Sequence, residues 1–89
     1  MNLDRNAIEK AIKAKIVEIV DLTGEDARDL SHEELIPASG LIDSAGLFEL
    51  LGWYEHEYEI PLSQEEITID NLGSIQLMAN FVLARKGLS

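Results

Sequence analysis

The chain has 89 residues, enough for one small domain with a modest core. Hydrophobic residues make up 46% of it, too many for an acidic disordered tail, and the net charge is −10. Residues 1–22 are neutral overall, residues 23–70 hold thirteen acids and one base (Arg28), and residues 71–89 hold two bases and no acid; this distribution argues against nucleic acid and anionic membrane as partners and favours basic protein surfaces.

The elements read as helices. Ile8, Ile12, Ile16 and Ile19 recur at helical spacing, with Leu3 before them and Val20 and Leu22 after. Thr23-Gly24 is the expected stop, since glycine readily takes the left-handed conformation past a helix end. Residues 23–43 form a long connection punctuated by Asp29, Ser31, Pro37, Ser39 and Gly40, with Leu30, Leu35, Ile36, Leu41 and Ile42 as apolar anchors. Loops of this length inside a small domain are uncommon and often functional. Ser31-His32-Glu33-Glu34 fits a capping box, so a short helical turn is expected over 31–35.

The second main helix is expected to open at Asp43-Ser44. Leu47, Leu50, Leu51, Tyr54 and Tyr58 then share one stripe about 100° wide, with Glu49 and His56 opposite it. Phe48, Gly52 and Trp53 fall off the stripe, and Trp53 is expected against the long loop. Ile60-Pro61 ends the helix, because proline disfavours helix in its predecessor. Ser63-Gln64-Glu65-Glu66 is a second capping-box pattern, expected to open a helical turn toward Leu72. Gly73-Ser74 reads as a break and a new N-cap, and a final helix runs from Ile75 to Lys86. Ile75, Met78, Ala79 and Val82 share its inner face, Leu77 and Phe81 are expected against the 67–72 turn, and Gly87 stops it. The expected fold is all-α, with residues 1–89 as a single domain.

There is no cysteine, hence no disulfide and no thiolate metal site. His32 and His56 lack metal-ligand spacing, and no apolar run approaches a membrane span. The N-terminus, MNLDRNAIEK, has no signal-peptide core, so a cytoplasmic location is expected. A serine nucleophile would need an oriented base. His56 lies twelve residues along the same helix from Ser44, about 18 Å by helical rise, too far to serve.

The informative segment is Gly40-Leu41-Ile42-Asp43-Ser44-Ala45-Gly46. A serine at a helix N-terminus lies beside unsatisfied backbone N–H groups and the positive end of the helix dipole, so a phosphate ester on its hydroxyl is stabilised there by about 0.3–1 kcal/mol. Asp43 suits the N-cap and is placed to hold a divalent cation beside that hydroxyl.

Gly-Leu-Ile-Asp-Ser, the acidic helix after it, Glu59-Ile60-Pro61 and Asn71-Leu72-Gly73-Ser74-Ile75 together resemble an acyl carrier protein over residues 3–86. The resemblance implies a small four-helix bundle of acyl-carrier type, with three main helices and one short one. It implies that Ser44 carries 4′-phosphopantetheine, transferred from coenzyme A by a magnesium-dependent phosphopantetheinyl transferase, with Asp43 assisting. The thiol at the end of that arm would hold the cargo as a thioester, which fits a chain without cysteine. Ala45, Phe48, Glu49, Gly52 and Glu55 become candidate partner-binding residues, on an acidic helix that basic partner enzymes would use for docking. Exposed acidic runs are commonly no more than a solvated face.

The family mostly has Leu or Met after the serine, whereas this chain has Ala45 and Gly46, which removes a hydrophobic contact that transferases and partners use. Gly46 at this offset, and Gly-Leu-Ile-Asp-Ser in place of Gly-Leu-Asp-Ser, are similar to D-alanyl and other aminoacyl carriers. The leading expectation is a monomeric, non-enzymatic, stand-alone acyl carrier for polyketide, lipid or related specialised biosynthesis, served by a loading enzyme and downstream synthases. The alternative is an aminoacyl or D-alanyl carrier. An acidic helical interaction module without a prosthetic group is the alternative of another class.

Overall fold

Helix α1 begins at Asp4, whose side chain accepts a hydrogen bond from the Ala7 backbone N–H at 2.8 Å and so satisfies one orphan donor of the first turn. The computed structural model describes residues 4–22, 24 and 26–87; Leu3 and Thr23 of the expected first helix and its stop lie outside them. Helix α1 spans Arg5–Asp21 and buries Ile8, Ile12, Ile16 and Ile19, the stripe expected from their spacing, together with Val20. Gly24 takes a positive φ of 84° just past its end.

The long connection is pinned rather than loose. Ala27, Leu30 and Ile36 are buried, and the Lys13 ammonium donates to the Leu30 carbonyl. Ile36 N–H donates to the Gly73 carbonyl at 2.7 Å, and Gln76 N–H donates to the His32 carbonyl at 2.8 Å. The His32 ring lies 3.5 Å from the nearly buried carboxylate of Glu9.

The short helix of this connection, α2, spans Ile36–Ser39 and not the expected 31–35. Ser31 does cap a turn, its hydroxyl accepting from Glu34 N–H at 3.1 Å, but that turn does not propagate. The helix starts instead at Ile36, and the proline after it is tolerated in a first turn, where its missing N–H would have no partner. Gly40 closes it in the left-handed conformation, at φ 72°.

Helix α3 spans Ser44–Tyr58, with Asp43 as its N-cap, as expected. Leu50, Leu51, Tyr54 and Tyr58 are buried, and Leu47 packs half-buried beside them. The Tyr54 hydroxyl donates to the Met78 carbonyl at 2.8 Å, and burial pushes that phenol's pKa up. Trp53 departs from expectation. Its ring meets Tyr58 edge-on at 6.0 Å and shares a hollow with Ala11, Ala14, Lys15 and Glu18 of α1, so it covers the α1–α3 seam and not the long loop.

The capping-box pattern at Ser63 also closes only a turn. Glu66 Oε1 accepts from Ser63 N–H at 3.0 Å, and the next helix, α4 (Ile69–Leu72), starts later on a separate cap, Thr68, which accepts from Asn71 N–H at 3.1 Å. Helix α5 spans Ile75–Arg85, capped by the buried Ser74, and Gly87 follows it with a φ of 71°. Its inner face is Ile75, Met78, Ala79, Val82 and Leu83. Phe81 packs half-buried on the core with the Arg85 guanidinium 5.5 Å from its ring centroid. Helix α1 packs against α3 and α5, and α4 against α5. The described residues are therefore all-helical, as expected, with three main helices and two single-turn helices.

Candidate functional site

Ser44 is the first residue of α3, and the chain reaches it through extended backbone at Asp43 (φ −93°, ψ −177°). Asp43 Oδ1 accepts from Gly46 N–H, and the Asp43 carbonyl accepts from Leu47 N–H, both at 2.8 Å. Among the described residues, the N–H groups of Ser44 and Ala45 have no partner, nor does the Ser44 hydroxyl. Ser44, Asp43 and Ala45 are all exposed. The helix start thus presents a free hydroxyl, two free backbone donors and the second oxygen of a carboxylate, in the field of a helix N-terminus.

Gly46 explains why this start is held firmly. A Cβ there would stand 2.8 Å from Ile42 Cγ1 and 3.2 Å from Ile19 Cγ2, so only glycine lets α3 approach the end of α1 and the incoming loop this closely. Gly52 is the opposite case, with open space where its Cβ would be.

The other candidate residues run down the outside of α3. Positions 45, 48, 49 and 52 fall within an arc of about 100° at helical spacing. Phe48 is 74% exposed, and Ala45, Glu49 and Gly52 are exposed with it. Glu55 differs, being half-buried with Oε1 accepting from Leu62 N–H at 3.2 Å, so it also ties the end of α3 to the following segment. Gly52, Glu55, His56, Glu59 and Pro61 line a shallow open hollow.

Two apolar hollows flank the helix start. One, of about 210 Å³, is lined by Ile19, Val20, Leu22, Leu41, Ile42, Ala45 and Gly46, with Asp43 and Glu49 on its wall. The other, of about 110 Å³, lies between Leu47 and Leu51 on α3 and Ile67, Ile69 and Leu72 beside it. Ile67 and Ile69 are 40% and 55% exposed, and the sequence reading passed over them.

Among the described residues, neither histidine is placed as a base for Ser44. His56 is exposed far along the same helix, and His32 is engaged with Glu9. Among the described residues, no group of three or more His, Asp and Glu side chains is placed to hold a metal ion, and no helix is long and apolar enough to cross a membrane.

No family model matches the chain. No solved structure matches it either. A curated relative does: the D-alanyl carrier protein of Streptococcus gordonii (strain Challis) is 36% identical over 61 residues, which cover 67% of this chain and 76% of the relative. With an all-helical fold and a serine exposed at a capped helix start, the chain belongs to the acyl carrier protein family of phosphopantetheine-binding carriers.

Proposed function

We propose that this protein is an aminoacyl carrier of the D-alanyl kind, with a 4′-phosphopantetheine arm on Ser44. The observation that carries the cargo assignment is the 36% identity to a protein named for D-alanyl carriage. It favours this reading over the polyketide or lipid acyl carrier that the sequence placed first, and over the interaction module without a prosthetic group.

The residues at the helix start fit such a group. Ser44 Oγ is exposed, and the N–H groups of Ser44 and Ala45 are open to a phosphodiester. Asp43 keeps the first turn in register through Oδ1, which accepts from Gly46 N–H, and its carboxylate assists attachment by holding the transferase's cation. Gly46 keeps this turn tight against Ile19 and Ile42, so the hydroxyl is presented from a fixed base. When bound, the arm supplies a terminal thiol that holds the cargo as a thioester.

The chain has no reaction of its own in this reading and acts as one domain, monomeric and cytoplasmic, where coenzyme A and ATP are available. Its partners are a phosphopantetheinyl transferase, an amino-acid-activating loading enzyme and an acceptor enzyme. They dock on the strip of Ala45, Phe48, Glu49 and Gly52, steered by the acidic middle of the chain.

The test is competitive loading. Holo protein is offered D-alanine, L-alanine and ATP with a D-alanine-activating ligase, and in parallel a set of acyl-coenzyme A substrates with acyl-loading enzymes. Hydroxylamine-labile D-alanine on the protein supports the proposal; loading by acyl donors alone would return the acyl reading to first place.

A further inference from the structure

The larger apolar hollow lies in the seam between α3, the end of α1 and the incoming loop. From α3 it is lined by Ala45, Gly46 and Glu49 but not by Ser44, which stands about 100° round the helix from Ala45. An arm on Ser44 therefore starts outside it and leaves it to another occupant. Two small residues create the space. Ala45 ends at its Cβ, and Gly46 lets α3 come down onto Ile19 and Ile42, which form the floor. Leu22, 81% exposed, stands at the edge and extends the apolar surface outward. A longer side chain at position 45 would fill the opening.

Size and charge together describe what fits. At about 210 Å³ the hollow is below the range of ~300–1,000 Å³ usual for whole small-molecule ligands. It is ample for one apolar side chain, since aliphatic cavities of ~150 Å³ already admit a benzene ring. Asp43 and Glu49 stand on its wall, Asp21 is exposed next to Leu22, and none of the described residues lining it is basic. Arg28, the one base in residues 23–70, is already paired with Asp26. The rim is thus unneutralised, and the complementary surface is an apolar side chain with a base beside it.

We propose that this hollow is a socket for one large apolar side chain of the amino-acid-activating loading enzyme, presented with a lysine or arginine that meets Glu49. The inference rests on the aminoacyl-carrier reading. The arm is the same chemical group on every carrier of this kind, so an enzyme that selects this chain has to read the chain's own surface. A socket at Ala45 supplies that selection by shape: it admits a projecting side chain, which a carrier with a long residue at this position would exclude. Glu49 adds steering and fixes the orientation of the encounter. The socket shares Ala45 and Glu49 with the docking strip and extends it from α3 to Leu22.

The experiment starts from holo forms of wild type, Ala45→Leu and Leu22→Ser, made with coenzyme A, magnesium and a broad-specificity transferase and checked by intact mass. Each is loaded with D-alanine and ATP by the D-alanine-activating ligase of the same organism, over a range of carrier concentrations. Ala45→Leu should raise the KM for the carrier about tenfold or more with kcat little changed, the loss expected when one apolar side chain is kept from burial. Leu22→Ser, on an exposed side chain, should raise it by a smaller factor. Amide and methyl spectra of wild-type holo protein titrated with the ligase should shift at Ile19, Leu22, Ile42 and Ala45. No mass gain would overturn the carrier reading and the socket together, and a mass gain without D-alanine loading would overturn the D-alanyl reading and the socket with it. Loading in which Ala45→Leu keeps or lowers the wild-type KM, or ligase shifts confined to Phe48 and Gly52, would overturn the socket alone.

Discussion

Helices α1 and α3 are close in length, 17 and 15 residues, yet they divide their apolar residues differently. Helix α1 turns its isoleucines inward and carries four bases against three acids. Helix α3 also buries a stripe, but it leaves Phe48 outside in a region where acids outnumber bases thirteen to one. An exposed aromatic at the first turns of a helix, beside a serine with an open hydroxyl, adds little to folding. Aromatic side chains do tend to dominate binding energy at interfaces. The contrast sets a helix whose large apolar residues go to the core against one that keeps an aromatic outside at its start, the surface that the proposed function assigns to partners.

Substitutions should expose this division. Ile12, with no exposed surface, belongs wholly to the core, and Ile12→Ala should cost about 2–5 kcal/mol, read from urea unfolding. The glycines of α3 give the next effect and the sharpest contrast. Gly46→Ala forces a Cβ onto Ile42 and Ile19, and overpacking of about 1–3 kcal/mol outweighs the helix-propensity gain of about 1 kcal/mol, so it should destabilise. Gly52→Ala meets open space and should stabilise by about 0.5–1 kcal/mol. Equal signs for the two would break the account of α3 as tight at its start and open below. Phe48→Ala should change stability by no more than about 0.5 kcal/mol while lowering kcat/KM for the transferase.

The smallest effect concerns acid. Glu66 accepts from Ser63 N–H and faces the Arg85 guanidinium, and these contacts hold its carboxyl below the usual range against a smaller opposing effect of desolvation. A carboxyl depressed on folding contributes stability above its unfolded pKa and loses it as pH falls through the folded value. The difference in urea midpoint between wild type and Glu66→Gln should therefore favour wild type at neutral pH and vanish on acidification. A difference that persists at low pH would assign the effect to packing.

Periodic features were legible in the sequence. The isoleucines of α1, the cap at Asp43, the stripe of α3 and the Ser74 cap all stand where spacing and capping chemistry place them. The single-turn helices were not. A capping-box pattern scores local hydrogen bonds alone, and at Ser31 and Ser63 those bonds form without a helix following. What decides the helix is tertiary: Ile36 is drawn inward and its N–H meets the Gly73 carbonyl, so the turn grows around Ile36 instead of Ser31. Trp53 was misplaced for a related reason, because its partners lie on α1, far away in sequence. At the site, Asp43 and Ser44 were readable as a cap and an exposed hydroxyl. The hollow beside them was not, since its walls come from α1, the loop and α3 together.

The most direct measurement of the central claim is intact mass after incubation with coenzyme A, magnesium and a broad-specificity phosphopantetheinyl transferase. The wild-type chain should gain one phosphopantetheine unit, and Ser44→Ala should gain none. A wild-type chain left unmodified by several transferases, or a Ser44→Ala chain that still gains the unit, would contradict the account.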